Sequence, residues 1–132
     1  MTLIAADIEK MAADYARAWS SGDPDAVASY FSETGTITIN RGELISGRAA
    51  VAEMASGFYS GFPDLAVHLD HLRIAGDHVM FGWVLEGTSA ETGKRVRVPG
   101  WEEWDLDDNL KVTASRGWFD AAEFDRQVAE GV

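Results

Sequence analysis

Cysteine is absent from the 132-residue sequence. That excludes a disulfide framework, thiolate chemistry and cysteine-ligated metal. Long apolar runs are missing too: none approaches the roughly 20 residues a membrane-spanning helix needs, so no membrane partner is expected. The N-terminal stretch Met1-Thr2-Leu3-Ile4-Ala5 has no basic start, and Asp7, Glu9 and Lys10 interrupt it early, so it does not read as a signal peptide. A cytoplasmic protein is the expectation. Basic residues are few: 11 Lys and Arg stand against 22 Asp and Glu, a formal net charge of −11. Such a chain repels a phosphate backbone, which argues against nucleic acid as a partner and leaves small apolar ligands open. No repeat, linker or low-complexity segment breaks the chain, and its length fits a single domain over residues 1–132.

What is present is apolar and aromatic. Apolar residues make up 46%, and five tryptophans are many for this length. Ile4, Ile8, Met11, Tyr15 and Trp19 recur at helical spacing and predict a first helix with one buried stripe. Gly22 suits a left-handed cap after it. Asp23-Pro24 reads as an N-cap and first turn, with Val27, Tyr30 and Phe31 as the apolar side of a short second helix. Thr36-Ile37-Thr38-Ile39 is β-branched throughout and predicts a strand. A third helix from about Arg48 carries Val51, Met54, Ala55 and Phe58, and Gly61-Phe62-Pro63 stops it. Strands are then expected at about Leu65–Ile74, His78–Thr88, Arg95–Leu106 and Lys111–Phe119, joined as antiparallel neighbours by turn-forming residues. Asp120-Ala121-Ala122-Glu123 has the form of a capping box for a last helix whose buried side is Phe124 and Val128. Helices first and an antiparallel meander afterwards imply an α+β fold, helices on one face of the sheet. The other face also carries large apolar groups, Met80 and Val84 among them, so a second copy of the chain is expected to cover it and form a homodimer.

The last hairpin can be read in detail. If Asp108-Asn109 are the central residues of a tight turn, Glu102 lies opposite Ser115, Gly100 opposite Gly117, Trp104 opposite Thr113 and Val98 opposite Phe119. The other face then sets Trp101 against Arg116, Pro99 against Trp118 and Glu103 against Ala114, and Arg116 can stack on an indole. A slip of one residue would exchange the two faces. Small residues at the middle of the first face leave room beside Glu102 for a ligand.

A set of short segments carries a family resemblance. They are Tyr15-Ala-Arg-Ala-Trp-Ser-Ser-Gly-Asp23 with Ala26-Val27 and Tyr30-Phe31, then Ser46-Gly47-Arg48 and Phe62-Pro63-Asp64-Leu65. Glu86-Gly87-Thr88, Thr92-Gly93-Lys94 and Trp118-Phe119-Asp120 with Gln127 follow. In this order and spacing, across nearly the whole chain, the sequence resembles the nuclear transport factor 2-like superfamily, and within it the SnoaL-like polyketide cyclases and ketosteroid isomerases. The resemblance implies a cone-shaped, curved antiparallel sheet wrapped around the N-terminal helices and enclosing an apolar pocket. It also implies that Tyr15, seven residues before Gly22, and Glu102, on the penultimate strand, donate hydrogen bonds to a carbonyl oxygen as it becomes an enolate. Two of the family's acid–base aspartates have no counterpart: the first strand reads Ile37-Thr38-Ile39-Asn40, and the cyclase position three residues before Asp120 is Gly117.

Strand alternation by itself places Glu102 among apolar neighbours, where a carboxylic acid keeps its proton; at a solvated rim or beside Arg97 it would be an ordinary ionised glutamate. Tyr15 is equally open to a purely structural reading as a core tyrosine. Asn40 can orient a water or a substrate oxygen, or serve as a turn residue before Gly42. Trp19, Phe58, Trp83, Trp104, Ser115 and Phe119 are the candidate substrate-binding residues. Asp120 is explained by capping. His68 and His71, three apart, are expected on opposite sides of a strand, and no metal site is predicted. Three functions stay open: a cofactor-independent isomerase, cyclase or hydrolase acting on a small, mostly apolar carbonyl compound or epoxide; a non-catalytic binder of such a ligand; and a dimeric interaction module.

Overall fold

The computed structural model describes residues 3–132; Met1 and Thr2, part of the N-terminal stretch read above, lie outside the described residues. Helix α1 (Ala5–Ser20) buries Ile8, Met11, Tyr15 and Trp19 of the expected stripe, with Ala12 beside them, whereas Ile4 precedes the helix and is exposed. It ends at Gly22, whose φ of 76° is a left-handed conformation that glycine adopts without strain. Helix α2 (Pro24–Ala28) starts as expected, with the Asp23 carboxylate accepting from the Asp25 amide at 3.0 Å. It is shorter than predicted. Phe31 opens strand β1 (Phe31–Ile39) instead of extending the helix. A two-residue strand β2 (Ile45–Ser46) and helix α3 (Arg48–Gly61) follow, then β3 (Ala66–Ala75), β4 (His78–Thr88), β5 (Arg95–Leu106), β6 (Val112–Phe119) and α4 (Ala121–Glu130). The Asp120 side chain caps α4 by accepting from the Glu123 amide.

The six strands form one curved, open sheet in the order β2-β1-β6-β5-β4-β3. The meander β3 to β6 is antiparallel throughout. Strand β1 joins it by running parallel to β6, with Ile37 opposite Ser115 and Ile39 opposite Gly117. This pairing closes the sheet's curvature around α1 and makes the α+β cone. One core fills its inside, running from Ile8 and Tyr15 on α1 through Phe81 on β4 to Trp104 on β5. Ser20 ties the end of α1 to β3 through Val67, accepting from its amide at 2.9 Å and donating to its carbonyl at 3.1 Å. Tyr59 of α3 donates to the Trp19 carbonyl at 2.8 Å. These bonds hold Trp19 between two elements of the wall.

The register of the last hairpin differs from the expected one by two residues. Glu102 lies opposite Gly117, Trp104 opposite Ser115 and Gly100 opposite Phe119. The loop accounts for one residue: Asp107 and Lys111 close it, the Leu110 amide donates to the Asp107 carbonyl, and Leu110 takes a φ of 61°. A bulge at Thr113 between the pairs Asp105–Ala114 and Leu106–Val112 accounts for the other. A shift of two keeps each side chain on its face, so the inside set Val98, Gly100, Glu102 and Trp104 is as predicted.

Partners change, however. Arg116 stands opposite Glu103, not Trp101, and pairs with Glu103 and Asp105, while Trp101 pairs with Trp118 at a ring distance of 5.7 Å. A second bulge, between Leu69 and His71, sets both His68 and His71 on the outer face, opposite Val84 and Gly82, where the spacing of three had put them on opposite sides. Also on that face, both ring nitrogens of His78 meet carboxylates, Asp105 at 2.9 Å and Glu103 at 2.8 Å. Those hydrogen bonds hold the imidazole's pKa above its ordinary value. Among the described residues no helix is long and apolar enough to cross a membrane.

Candidate active site

Strand β5 delivers Glu102 and Trp104 to the inside of the cone two residues apart, so both point the same way. The Trp104 indole reaches back and donates to Glu102 Oε1 at 3.1 Å. Ser115, opposite Trp104 on β6, donates to the same oxygen at 2.9 Å. Tyr15 arrives from α1, its hydroxyl 3.1 Å from Oε1 and 3.2 Å from Oε2. All four side chains are buried. Around them the rings interlock: Trp104 stacks on Phe81 at 4.9 Å and meets Tyr15 edge-on at 5.2 Å.

Glu102 carries a charge problem. Burial pushes its carboxyl above the usual range, and the three donors, Trp104, Ser115 and Tyr15, pull it back only in part. None of the ion pairs among the described residues involves it. Tyr15 is held well above the ordinary tyrosine value, first by burial and then by the Glu102 charge, with the Trp19 indole acting the other way. It therefore stays neutral and serves as a donor. The indole N–H of Trp104 can only donate, which marks Oε1 as an acceptor. A proton on Glu102 then belongs on Oε2, whose contact among the described residues is the longer one to Tyr15.

In front of Glu102 is a cavity of about 60 Å³. Its wall includes Trp19 of α1, Met54 and Phe58 of α3, Ile37 and Ile39 of β1, Trp83 and Leu85 of β4, Gly117 and Phe119 of β6 and Phe124 of α4, and among the described residues Glu102 is its one ionisable side chain. The space is several times the roughly 10–15 Å³ minimum for a single water on a comparable measure. Trp83 is set by Gly100: a Cβ there would lie 2.3 Å from the indole and 2.7 Å from the Trp118 carbonyl. Gly100→Ala is therefore expected to push Trp83 into the cavity and cost about 1–3 kcal/mol. Urea unfolding with tryptophan fluorescence would show both, and an unchanged midpoint and spectrum would contradict it. The room expected beside Glu102 thus lies at Gly117, where a Cβ would meet Glu102 Cγ at an ordinary 3.6 Å, whereas an indole fills the space over Gly100.

Of the residues singled out in the sequence, Glu102, Trp19, Phe58, Trp83 and Phe119 line this cavity. Trp104, Ser115 and Tyr15 sit behind Glu102 and contact its carboxylate. Tyr15 therefore faces Glu102, where the resemblance had it facing the guest. Asn40 is apart from them: its Oδ1 accepts from the Phe119 amide at 2.9 Å and its own amide donates to Gly117, a clamp between β1 and β6. Its φ of 50° fits the turn reading. Ile37, Ile39, Met54, Val67, Leu85, Val98 and Phe124 were missed as cavity residues. Their inward-facing pattern was visible in the sequence, but a pattern that says "inside" does not separate a filled core from the rim of a void.

The SnoaL-like domain family matches residues 12–114. No curated protein matches the chain. Among solved structures, a protein from Catenulispora acidiphila with a ketosteroid isomerase-like fold, in complex with trimethylamine, is similar with a TM-score of 0.84 at 19% identity, covering 91% of this chain and 92% of that one. A SnoaL-like polyketide cyclase from a Jannaschia species gives 0.80 at 17% identity over 96% and 92%. An epoxide hydrolase/cyclase-like enzyme of pyran ring formation in the polyether salinomycin gives 0.79 at 22% over 89% and 94%. At these identities the likeness is one of fold.

Proposed function

Because the chain belongs to the SnoaL-like domain family, we propose that its cavity holds one small, mostly apolar carbonyl compound or epoxide and that Glu102 is the acid–base group acting on it. The observation that supports this reading is a single buried carboxyl, held by three donors, at the wall of an otherwise apolar cavity. Protonated at Oε2, Glu102 donates to the guest's oxygen. As negative charge develops there the proton moves across, and Tyr15, Trp104 and Ser115 stabilise the carboxylate left behind. Tyr15 and the two others act on the guest through Glu102 and are positioning residues. The protein acts without a cofactor and in the cytoplasm.

Calorimetry and a turnover screen with small ketones and epoxides test the reading. Saturable binding of one guest per chain with turnover is the expected outcome, and Tyr15→Phe should shift the pH profile of turnover to higher pH, since a donor to the carboxylate is lost. No binding by any member of the panel would overturn it. Binding without turnover would favour a carrier of the same guests. That reading has its own support, since Ile37, Ile39 and Gly117 stand where a second acid–base carboxylate is expected.

The outer sheet face supports a homodimer. Trp101 is 42% exposed beside Trp118, and ion pairs of Arg95 and Arg97 with Glu86 lie farther along the same face. A two-fold contact can bury the indoles and match these charges. A dimeric mass at micromolar concentration that Trp101→Glu converts to a monomeric one is expected, and a monomeric wild type counts against it.

A further inference from the structure

The cavity wall combines aromatic rings with a carboxyl group. Among the described residues five that line it, Trp19, Phe58, Trp83, Phe119 and Phe124, are aromatic, and Glu102 is its one ionisable group. Aromatic faces carry negative potential and attract cations. The Glu102 carboxylate accepts three hydrogen bonds and, among the described residues, no basic side chain pairs with it. A buried carboxylate left without a counter-ion has two remedies: it takes a proton, or its counter-ion arrives as a ligand. The formal charge of −11 draws cations toward the chain from a distance.

We propose that the cavity also binds small alkylammonium ions, with the ionised Glu102 carboxylate as counter-ion and the aromatic wall around the alkyl groups. The proposal rests on the reading that the cavity is a ligand site. It adds that the protonation state of Glu102 selects the guest: the protonated form meets an oxygen acceptor, and the ionised form meets a cation. The titratable side chain touching Glu102 is Tyr15 of α1, which stays neutral. The neighbouring strands present Phe81 on β4, Trp104 on β5, and Ser115 and Gly117 on β6, none of which titrates. A pH dependence in the binding of a permanently charged guest therefore reports on Glu102.

Choline and its uncharged isostere 3,3-dimethylbutanol are suitable probes, measured by calorimetry from about pH 5 to about pH 8 across the range in which a buried carboxyl of raised pKa ionises. Choline should bind at least about fivefold more tightly than the isostere at the upper end, and the preference should shrink toward the lower end. Glu102→Gln should remove both the preference and its pH dependence. If that variant does not fold, Phe58→Leu keeps the charge, thins the aromatic wall and should weaken choline more than the isostere. Equal affinities, or tighter binding of the alcohol throughout, would overturn the proposal while leaving a small-molecule pocket in place. If neither probe binds but a ketone or epoxide does, the cation proposal fails alone. If nothing binds, the pocket reading fails with it.

Discussion

Glu102→Gln is expected to lower turnover of any guest by at least about 10²-fold, because the amide has the shape of the acid but no proton to exchange. The amide oxygen can still accept from Trp104 at the position of Oε1, so the cavity should keep its form. A second signature follows from folding. Burial raises the Glu102 pKa in the folded chain, so the folded state binds more protons at this position than the unfolded state does. The stability this group contributes is complete below the ordinary carboxylate range. It declines as pH rises through the folded pKa. The glutamine side chain does not titrate, so the variant should gain on the wild type as pH rises, while the outer-face groups such as His78 titrate alike in both proteins and cancel. Urea unfolding of the two proteins from about pH 4 to about pH 8 measures the difference. A difference that is constant with pH would show that Glu102 ionises as freely folded as unfolded and would remove the basis for its acid–base role.

Trp104→Ala should be the most destabilising single change at the site, by about 3–5 kcal/mol, because a fully buried indole leaves a void between elements that cannot close on it. Phe81 loses its stacking partner, Tyr15 loses an edge-on contact, and Glu102 loses its obligate donor. Trp104→Phe separates these effects. It keeps a ring against Phe81 and removes the N–H, so the loss should fall to about 1–3 kcal/mol. The missing donor should raise the Glu102 pKa further and move the pH profile of guest binding upward. A merely structural tryptophan would lower stability in both variants and leave that profile where it was. Denaturant midpoints beside carbon-detected titration of Glu102 distinguish the two.

The elements of this fold were legible because each one solves its own burial problem locally. The stripe from Ile8 to Trp19 folds only as a helix with that face inward. The alternation from Val96 to Trp104 works only as a strand with Glu102 on the apolar side. Asp23-Pro24 and Asp120 announce helix starts through backbone amides a few residues away. The inward position of Glu102 was among these local facts, since a strand's faces alternate whatever its partners are.

Distances across the chain were decided elsewhere. The parallel pairing of β1 with β6 joins segments separated by the whole meander, and no local pattern names that partner. The bulge at Thr113 and the three-residue loop move β6 by two positions. This puts Ser115 beside Trp104 and Gly117 beside Glu102, and it gives Arg116 to Glu103 in place of an indole. The bulge beside Asp70 likewise brings His68 and His71 to one face.

Cysteine, basic excess and long apolar runs are missing from the sequence. By itself it pointed to a fold class, most helix and strand faces, and an acid set among apolar neighbours on β5. Only the tertiary structure decided that this acid collects three donors from three elements and forms part of the wall of a cavity. The physical reason is that alternation and helical period are short-range, whereas a void and a hydrogen-bond network depend on which distant side chains stop short of one another.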